Sequence, residues 1–198
     1  MPNDRDTQAD FLRTVERARQ GDAEAFEALY REFVKGIFNY VFRLVGSVPE
    51  AEDLTQETFL KVHCELPNLR AAEYFRYWIY RIARNEVYQR ARKHKRVNEV
   101  SLDNDETHLG DFVRQLRVTR TPEDEVLQGE FNDVLAQALD QMPHKLREVF
   151  VLGVMQRFSY DEITRIVNRS VLSVKTDIYR ARLIAREVIQ KYMQDHRT

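Results

Sequence analysis

A chain of 198 residues, 43% hydrophobic and 32% charged, has room for one large domain or two small ones and the composition of a charge-rich globular protein. No apolar run approaches the roughly 18 residues that a membrane span needs, and the polar, acidic start MPNDRDTQADF lacks the apolar stretch of a signal peptide. The single cysteine, Cys64, has no partner for an internal disulfide or a cysteine metal cluster, so the expected setting is the reducing cytoplasm, without membrane insertion.

The formal net charge of −1 hides blocks of opposite sign. Residues 1–69 carry a net −5, residues 70–96 a net +7, residues 97–140 a net −8 and residues 141–198 a net +5. Two basic islands separated by an acidic stretch suggest two contacts with a polyanion on one chain.

Apolar residues recur at helical spacing and no alternating strand stands out, so the expected fold class is all-α. The spacing predicts helices over Thr7–Arg19, Ala23–Val45, Pro49–Glu65 and Ala72–Arg92. Gly21-Asp22 and Gly46-Ser47 break them, and Asp22 can cap the second. The pattern fades after Arg96. Residues 97–121 are polar and acidic, end at Thr121-Pro122, and read as a linker. Helices resume over Pro122–Gln141, Lys145–Met155, Tyr160–Val167 and Val171–Gln194. The expected organisation is two small helical domains, residues 1–96 and 122–198, on an acidic tether of residues 97–121.

In the first domain, Ala51, Leu54, Thr58 and Val62 fall on one face of the third helix. Asp53, Gln56, Glu57 and Leu60, at i, i+3, i+4 and i+7, form an outward polar stripe ending in an exposed apolar side chain. On the fourth helix Phe75, Trp78, Ile79 and Ile82 suit a buried face. Tyr77, Arg81, Arg84 and Tyr88 would form an outward stripe, in which rings can stack on unpaired bases and guanidinium groups can hold phosphates. A basic run follows from Arg90 to Arg96. The loop before this helix carries Asn68 and Arg70.

In the second domain, Ser159 with Glu162 three residues on is a capping box at the start of a short helix whose Ile163, Ile166 and Val167 face inward. Asn168 tolerates the left-handed turn that follows, and Ser170 can cap the next helix. That helix has Val174, Ile178 and Ala181 at core spacing. Lys175, Thr176, Tyr179 and Arg180 share the opposite face, suited to base edges and phosphates in a major groove. Two helices joined by a short turn, the second basic, form a helix-turn-helix. Asp177, beside Thr176, reads as an acidic residue opposing the DNA phosphates, so that Asp177→Arg would strengthen DNA binding; the alternative is that it accepts from a cytosine amino group and reads a base.

These segments together resemble the extracytoplasmic-function sigma factors of bacterial RNA polymerase, in the sigma-70 family. The stretches that carry the likeness in the second domain are Arg147-Glu148-Val149-Phe150-Val151-Leu152, Phe158-Ser159-Tyr160-Asp161-Glu162-Ile163 and Tyr179-Arg180-Ala181-Arg182. In the first they are Ala51-Glu52-Asp53-Leu54-Thr55-Gln56 and Trp78-Ile79-Tyr80-Arg81-Ile82-Ala83-Arg84-Asn85. The resemblance implies a sigma-two domain and a sigma-four domain. Asp53, Gln56, Glu57 and Leu60 would dock on the beta-prime clamp of core polymerase. Asn68, Arg70, Tyr77, Arg81, Arg84 and Tyr88 would recognise and melt the −10 element of promoter DNA, with Asn68 and Arg70 near a flipped base. Lys175, Thr176, Tyr179 and Arg180 would read the −35 element, while the apolar part of the same domain grips the beta flap. An anti-sigma partner is common in the family. The departures are Val167-Asn168 in place of a usual Leu-Gly, Leu172 in place of a small residue, Gln89 in place of an Asp and Asp177 in place of a basic residue.

The alternative of another class is a helix-turn-helix regulator that binds duplex DNA without polymerase, which would leave the Asp53–Leu60 stripe and the Tyr/Arg helix without a task. No Gly-rich phosphate loop, zinc spacing or nucleophile-and-base set is present, so neither an enzyme nor a cofactor or metal is expected. His63-Cys64 reads as an incidental pair.

Overall fold

Asp22 ends one helix and begins the next. It sits in extended backbone, its side chain accepts from the Ala25 amide at 3.1 Å, and its other oxygen takes the Arg17 Nε proton at 2.8 Å. These bonds satisfy orphan donors at a helix start and fix the corner between α1 (Asp4–Arg19) and α2 (Ala23–Val45). At the far end of α2 Gly46 takes φ 76°, a left-handed position that costs glycine little, and its amide bonds back to Phe42. Pro49 lies in the first turn of α3 (Val48–Glu65), where the missing N–H is no loss. The computed structural model describes residues 4–98 and 133–195, with side chains over 7–93 and 133–195.

Inside α3, Thr55 and Thr58 are buried and return their hydroxyls to the Ala51 and Leu54 carbonyls at 2.6 Å, so neither group is left unpaired in the core. Two short 3-10 turns, Leu66–Asn68 and Ala72–Tyr74, lead into α4 (Phe75–Asn98). The helix predicted from Ala72 thus starts one turn later and runs further than Arg92. The core of this half contains Leu29, Phe33, Ile37, Leu54, Phe75 and Ile79, all buried, with Phe11, Phe33 and Phe75 in edge-to-face or tilted contact. Two ion pairs tie α4 to α3: Lys61–Glu86 at 2.6 Å and Arg90–Glu57 at 2.9 Å.

The expected linker lies outside the described residues, apart from residues 97–98, which finish α4. Of the helix predicted over Pro122–Gln141, residues 133–140 are described and helical; they form α5. The helix predicted over Lys145–Met155 is instead α6 (His144–Phe150) followed by a π-helical turn, Val151–Met155. Gly153 lies inside this turn, where a Cβ would meet Ile178 Cδ1 at 3.1 Å and Ile163 Cδ1 at 3.2 Å, so two helices pack onto bare backbone. The capping box is formed in full. The Ser159 hydroxyl accepts from the Glu162 amide, and the Glu162 carboxylate accepts from the Ser159 amide at 2.8 Å, opening α7 (Tyr160–Val167). Asn168 turns the chain at φ 52°, and α8 (Val171–Asp195) follows.

No strand occurs among the described residues, as the all-α reading expects. The two halves do not stand apart. α4 lies along α7 and also meets α6 through side chains, and one cluster of buried apolar residues runs through both halves.

Candidate polymerase and nucleic-acid interfaces

Three faces carry the residues singled out from the sequence. On α3, Ala51, Leu54, Thr58 and Val62 are buried, and Asp53, Gln56, Glu57 and Leu60 are exposed along one side, Leu60 at 67%. Glu57 shares its charge with Arg90 but keeps 47% of its side chain in solvent. An apolar side chain this exposed beside carboxylates and an amide is what a partner surface needs.

On α8, Lys175, Thr176, Tyr179 and Arg180 are exposed together, with Tyr179 at 63%. Val174, Ile178 and Ala181 bury the opposite face. The Lys175 ammonium lies 5.6 Å from the Tyr160 ring centre, and the Thr176 hydroxyl donates to the Leu172 carbonyl at 2.9 Å. The Ser170 hydroxyl accepts from the Ser173 amide at 3.3 Å, capping the helix.

Asp177 does not belong to that face. It is 6% exposed and turned inward, where Arg169 of the preceding turn donates to its carboxylate and, at 2.6 Å, to the Ser173 hydroxyl. The reading of Asp177 as an exposed charge opposing DNA is therefore corrected: it is the internal anchor of Arg169. The physical reason is helical phase, since position 177 falls three residues after Val174 and four before Ala181, both core positions.

The α4 stripe also differs from its expected outward orientation. Arg81 is exposed, but Tyr77, Arg84 and Tyr88 are half-buried against the C-terminal half. Arg84 Nε donates to Glu148 Oε1 at 2.7 Å, and the Tyr88 hydroxyl donates to Glu148 Oε2 at 3.3 Å. The Arg84 guanidinium also stacks 4.4 Å from the Tyr88 ring centre. Tyr88 further meets His144, ring to ring at 5.2 Å. Toward the start of the helix, the Tyr80 hydroxyl donates to Gln156 Oε1 at 2.8 Å, and Arg76 lies over the Phe158 ring at 4.7 Å. Arg165 of α7 donates to the Tyr77 hydroxyl at 3.2 Å and stacks on its ring at 5.2 Å.

Arg76, Tyr80, Arg84 and Tyr88 thus form a single ridge at a spacing of four, and sequence reasoning passed over Arg76, Tyr80 and Glu148. Glu148 carries the one available signal: it is a carboxylate between Leu146 and the apolar run Val149–Leu152, a place where a charge is tolerated only when paired. Its side chain is 1% exposed. Burial pushes its carboxyl above the usual range, and the Arg84 guanidinium pulls it back. Burial raises the Tyr80 hydroxyl to about 12, so it stays protonated and remains a donor at neutral pH. His144 is shifted the other way: burial, then the charges of Arg147 and Arg84, disfavour its protonated form.

Asn68 and Arg70 are exposed in the connection from α3 to α4. Cys64 is exposed, and His63 packs its ring on Phe26 at 4.9 Å rather than pairing with it. Among the described residues no group of three His, Cys, Asp or Glu could hold a metal ion, and no helix is long and apolar enough to cross a membrane.

Residues 29–97 match the Sigma-70 region 2 family and residues 132–183 match Sigma-70, region 4. The RNA polymerase sigma-H factor of Pseudomonas aeruginosa is 31% identical over 192 residues, covering 95% of this chain and 96% of that protein. The ECF RNA polymerase sigma factor SigW of Bacillus subtilis is 30% identical, covering 91% and 95%. The fold is shared with the sigma factor RpoE, solved in complex with the anti-sigma factor NepR from Bartonella quintana, at a TM-score of 0.69 and 20% identity over 85% of this chain and 98% of that one. It is also shared with CnrH, solved with the cytosolic domain of CnrY, at a TM-score of 0.64 and 20% identity over 91% and 97%. With both family segments present in order and relatives of this similarity along nearly its whole length, the chain belongs to the extracytoplasmic-function sigma factors, which direct RNA polymerase to specific promoters.

Proposed function

We propose that the three faces divide the work of initiation among them. Asp53, Gln56, Glu57 and Leu60 of α3 dock on core polymerase at the beta-prime clamp, and the apolar part of the C-terminal half engages the beta flap. Lys175, Thr176, Tyr179 and Arg180 read the −35 element in duplex DNA. Tyr77, Arg81, Arg84 and Tyr88 of α4 capture the opened −10 strand, with Asn68 and Arg70 receiving a flipped base beside it. Residues 1–96 and 122–198 act as the two functional domains and residues 97–121 as the tether between them. The work is binding, orientation and strand capture, with no catalytic step of its own, and it takes place in the cytoplasm.

The observation that carries this reading is the shared exposure of Lys175, Thr176, Tyr179 and Arg180 opposite a buried seam of Val174, Ile178 and Ala181. An α-helix presented this way fits a major groove, and a Lys or Arg on it can bond guanine O6 and N7. An anti-sigma factor is a further expected partner, since RpoE and CnrH were each solved with a second protein, named as an anti-sigma factor in the first case. A regulator acting without polymerase is not favoured, because it gives the exposed α3 stripe nothing to bind.

Run-off transcription with purified core polymerase and a library of genomic promoters tests the proposal. The expected result is promoter-specific transcripts that require this chain and disappear when Arg180 and Lys175 are both changed to Ala. Transcripts independent of both residues would overturn the −35 assignment.

A further inference from the structure

Leu172 is the most exposed large apolar side chain among the described residues, at 76%, and it stands in the first turn of α8. An isolated exposed leucine is ordinary on a protein surface. This one has particular neighbours. Leu172, Lys175, Thr176 and Tyr179 fall at i, i+3, i+4 and i+7, so they share one side of the helix, and all four are exposed. Between Val171 and Arg186 the helix also exposes Arg180, Arg182 and Arg186, while its one acid in that stretch, Asp177, is turned inward onto Arg169. An apolar group among cations, with no acid beside it, suits a polyanion that carries apolar points of its own. Leu60 of α3, the next most exposed at 67%, has the opposite setting, beside Asp53 and Glu57.

The turn that carries Leu172 is held from both sides. The Ser170 hydroxyl accepts from the Ser173 amide at 3.3 Å, and Arg169 donates to the Ser173 hydroxyl at 2.6 Å. The Thr176 hydroxyl donates to the Leu172 carbonyl at 2.9 Å, which commits its proton to the backbone and fixes the rotamer. The methyl branch is then the apolar group that Thr176 has to offer, about 6 Å along the helix axis from Leu172. In the major groove thymine alone of the four bases presents a methyl group, and apolar contact with it is a means of reading an A·T pair and its direction. The residues near the N-terminus of a recognition helix are the ones that reach base edges.

We propose that Leu172, with the Thr176 methyl beside it, reads the C5-methyl group of a thymine in the −35 element, so that this chain selects an A·T pair there by apolar contact. Lys175 and Arg180 supply the polar reading on either side. The proposal rests on the assignment of α8 to the −35 element, and the test separates the two. Reversing the pair moves the methyl to the other strand, and a G·C pair has none, so the contact specifies both composition and direction. Replacing thymine by deoxyuridine removes this methyl alone and keeps the phosphates and the donors and acceptors of the groove.

Holoenzyme assembled from the full-length chain and core polymerase is first used to select from a duplex pool randomised across the −35 region. The best-bound sequence is then made again with each thymine, on either strand, replaced in turn by deoxyuridine. The half-saturating holoenzyme concentration is measured for the parent and for Leu172→Ala, a change at an exposed helical position that leaves the fold in place. The expected result is one thymine whose replacement weakens the parent about fourfold, the effect of one methyl-sized group returned to water. The same replacement should cost the Leu172→Ala holoenzyme almost nothing, because the two changes remove one contact. A selected element without an A·T pair, or a deoxyuridine cost that is absent or equal in both proteins, would overturn the thymine contact. The −35 assignment would survive that outcome if Lys175→Ala and Arg180→Ala still abolish the selection. A pool that emerges with no −35 preference removes α8 from promoter reading and the proposal with it. Loss of core polymerase by Leu172→Ala, with its DNA preference intact, also sinks the proposal, since Leu172 is then a protein contact.

Discussion

Asp177 follows Thr176 by one position yet faces the opposite way, and the two neighbours have opposite consequences for mutation. Arg169 and Asp177 form a pair with side chains 16% and 9% exposed, joining the turn to α8. Asp177→Arg therefore sets two cations together in a site with little water. The expected outcome is a loss of about 3–5 kcal/mol of stability in thermal or denaturant unfolding, with no gain in affinity for DNA at any salt concentration. A variant of unchanged stability that binds duplex DNA more tightly would restore the reading of Asp177 as a surface charge. His144 gives a second residue-level expectation. Its pKa lies below the ordinary value of about 6.5 because burial and the neighbouring Arg147 and Arg84 disfavour the cation. The stability it contributes is fully present above about pH 6.5 and is lost as pH falls through its lower folded value. The raised carboxyl of Glu148 acts in the opposite sense: its contribution is present below the ordinary carboxylate value and lost as pH rises through its folded one. The two contributions thus change with pH in opposite directions, and removing His144 isolates its share. As pH falls below about 6.5 the parent chain should lose melting temperature relative to His144→Gln, and equal pH profiles for the two would remove His144 from the balance.

Elements whose determinants lie within a few residues of one another are legible in the sequence. The Ser159–Glu162 box, the left-handed Asn168, the Asp22 cap and the inward seam of α3 all depend on spacing along one helix, and each is formed as the spacing implies. The close packing at Gly153 is not legible in this way, because Ile163 and Ile178 arrive there from two later helices. The outward direction expected for the α4 stripe fails for a related reason. Amphipathicity states which face is polar, but a polar face can be covered by another polar face, and Glu148 is 64 residues away from Arg84 in sequence. Among the described residues the α3 stripe is exposed, with only Glu57 paired, to Arg90, and a prediction belongs to it. Gln56→Lys and Asp53→Lys place a cation on an exposed surface, where substitutions usually shift stability by no more than about 0.5 kcal/mol. Both should weaken binding to core polymerase, read by co-purification or fluorescence titration, while the unfolding curve stays in place. Full core affinity in both variants would remove α3 from the polymerase interface.

At the scale of the whole molecule the α4 side chains that hold the C-terminal half are also the ones proposed to hold the opened strand, and this gives single substitutions different effects in the free chain and in the holoenzyme. Arg84 holds Glu148 in the free chain and is proposed to hold the opened strand in the holoenzyme. Arg81 is exposed in the free chain. Arg84→Ala should therefore do two things at once. In the free protein it removes the partner of a buried carboxylate, loosening the halves or lowering stability by about 3–5 kcal/mol. In the assembled holoenzyme it removes a contact to the melted strand and slows promoter opening. Arg81→Ala should do only the second, leaving the stability of the free chain unchanged. Glu148→Gln should do only the first, since Glu148 is not assigned to DNA. Permanganate reactivity of promoter thymines in the holoenzyme measures opening, and thermal unfolding of the free chain measures the contact between the halves. Initial binding to the duplex, proposed above to rest on Lys175 and Arg180, should be nearly the same in all three variants. If Arg81→Ala and Arg84→Ala both leave opening at the parental rate, α4 does not capture the strand and its basic face serves the contact between halves alone. If Arg84→Ala slows opening but leaves the free chain as stable as before, the bond to Glu148 contributes nothing to the contact between the halves, and the apolar contacts hold the two together unaided.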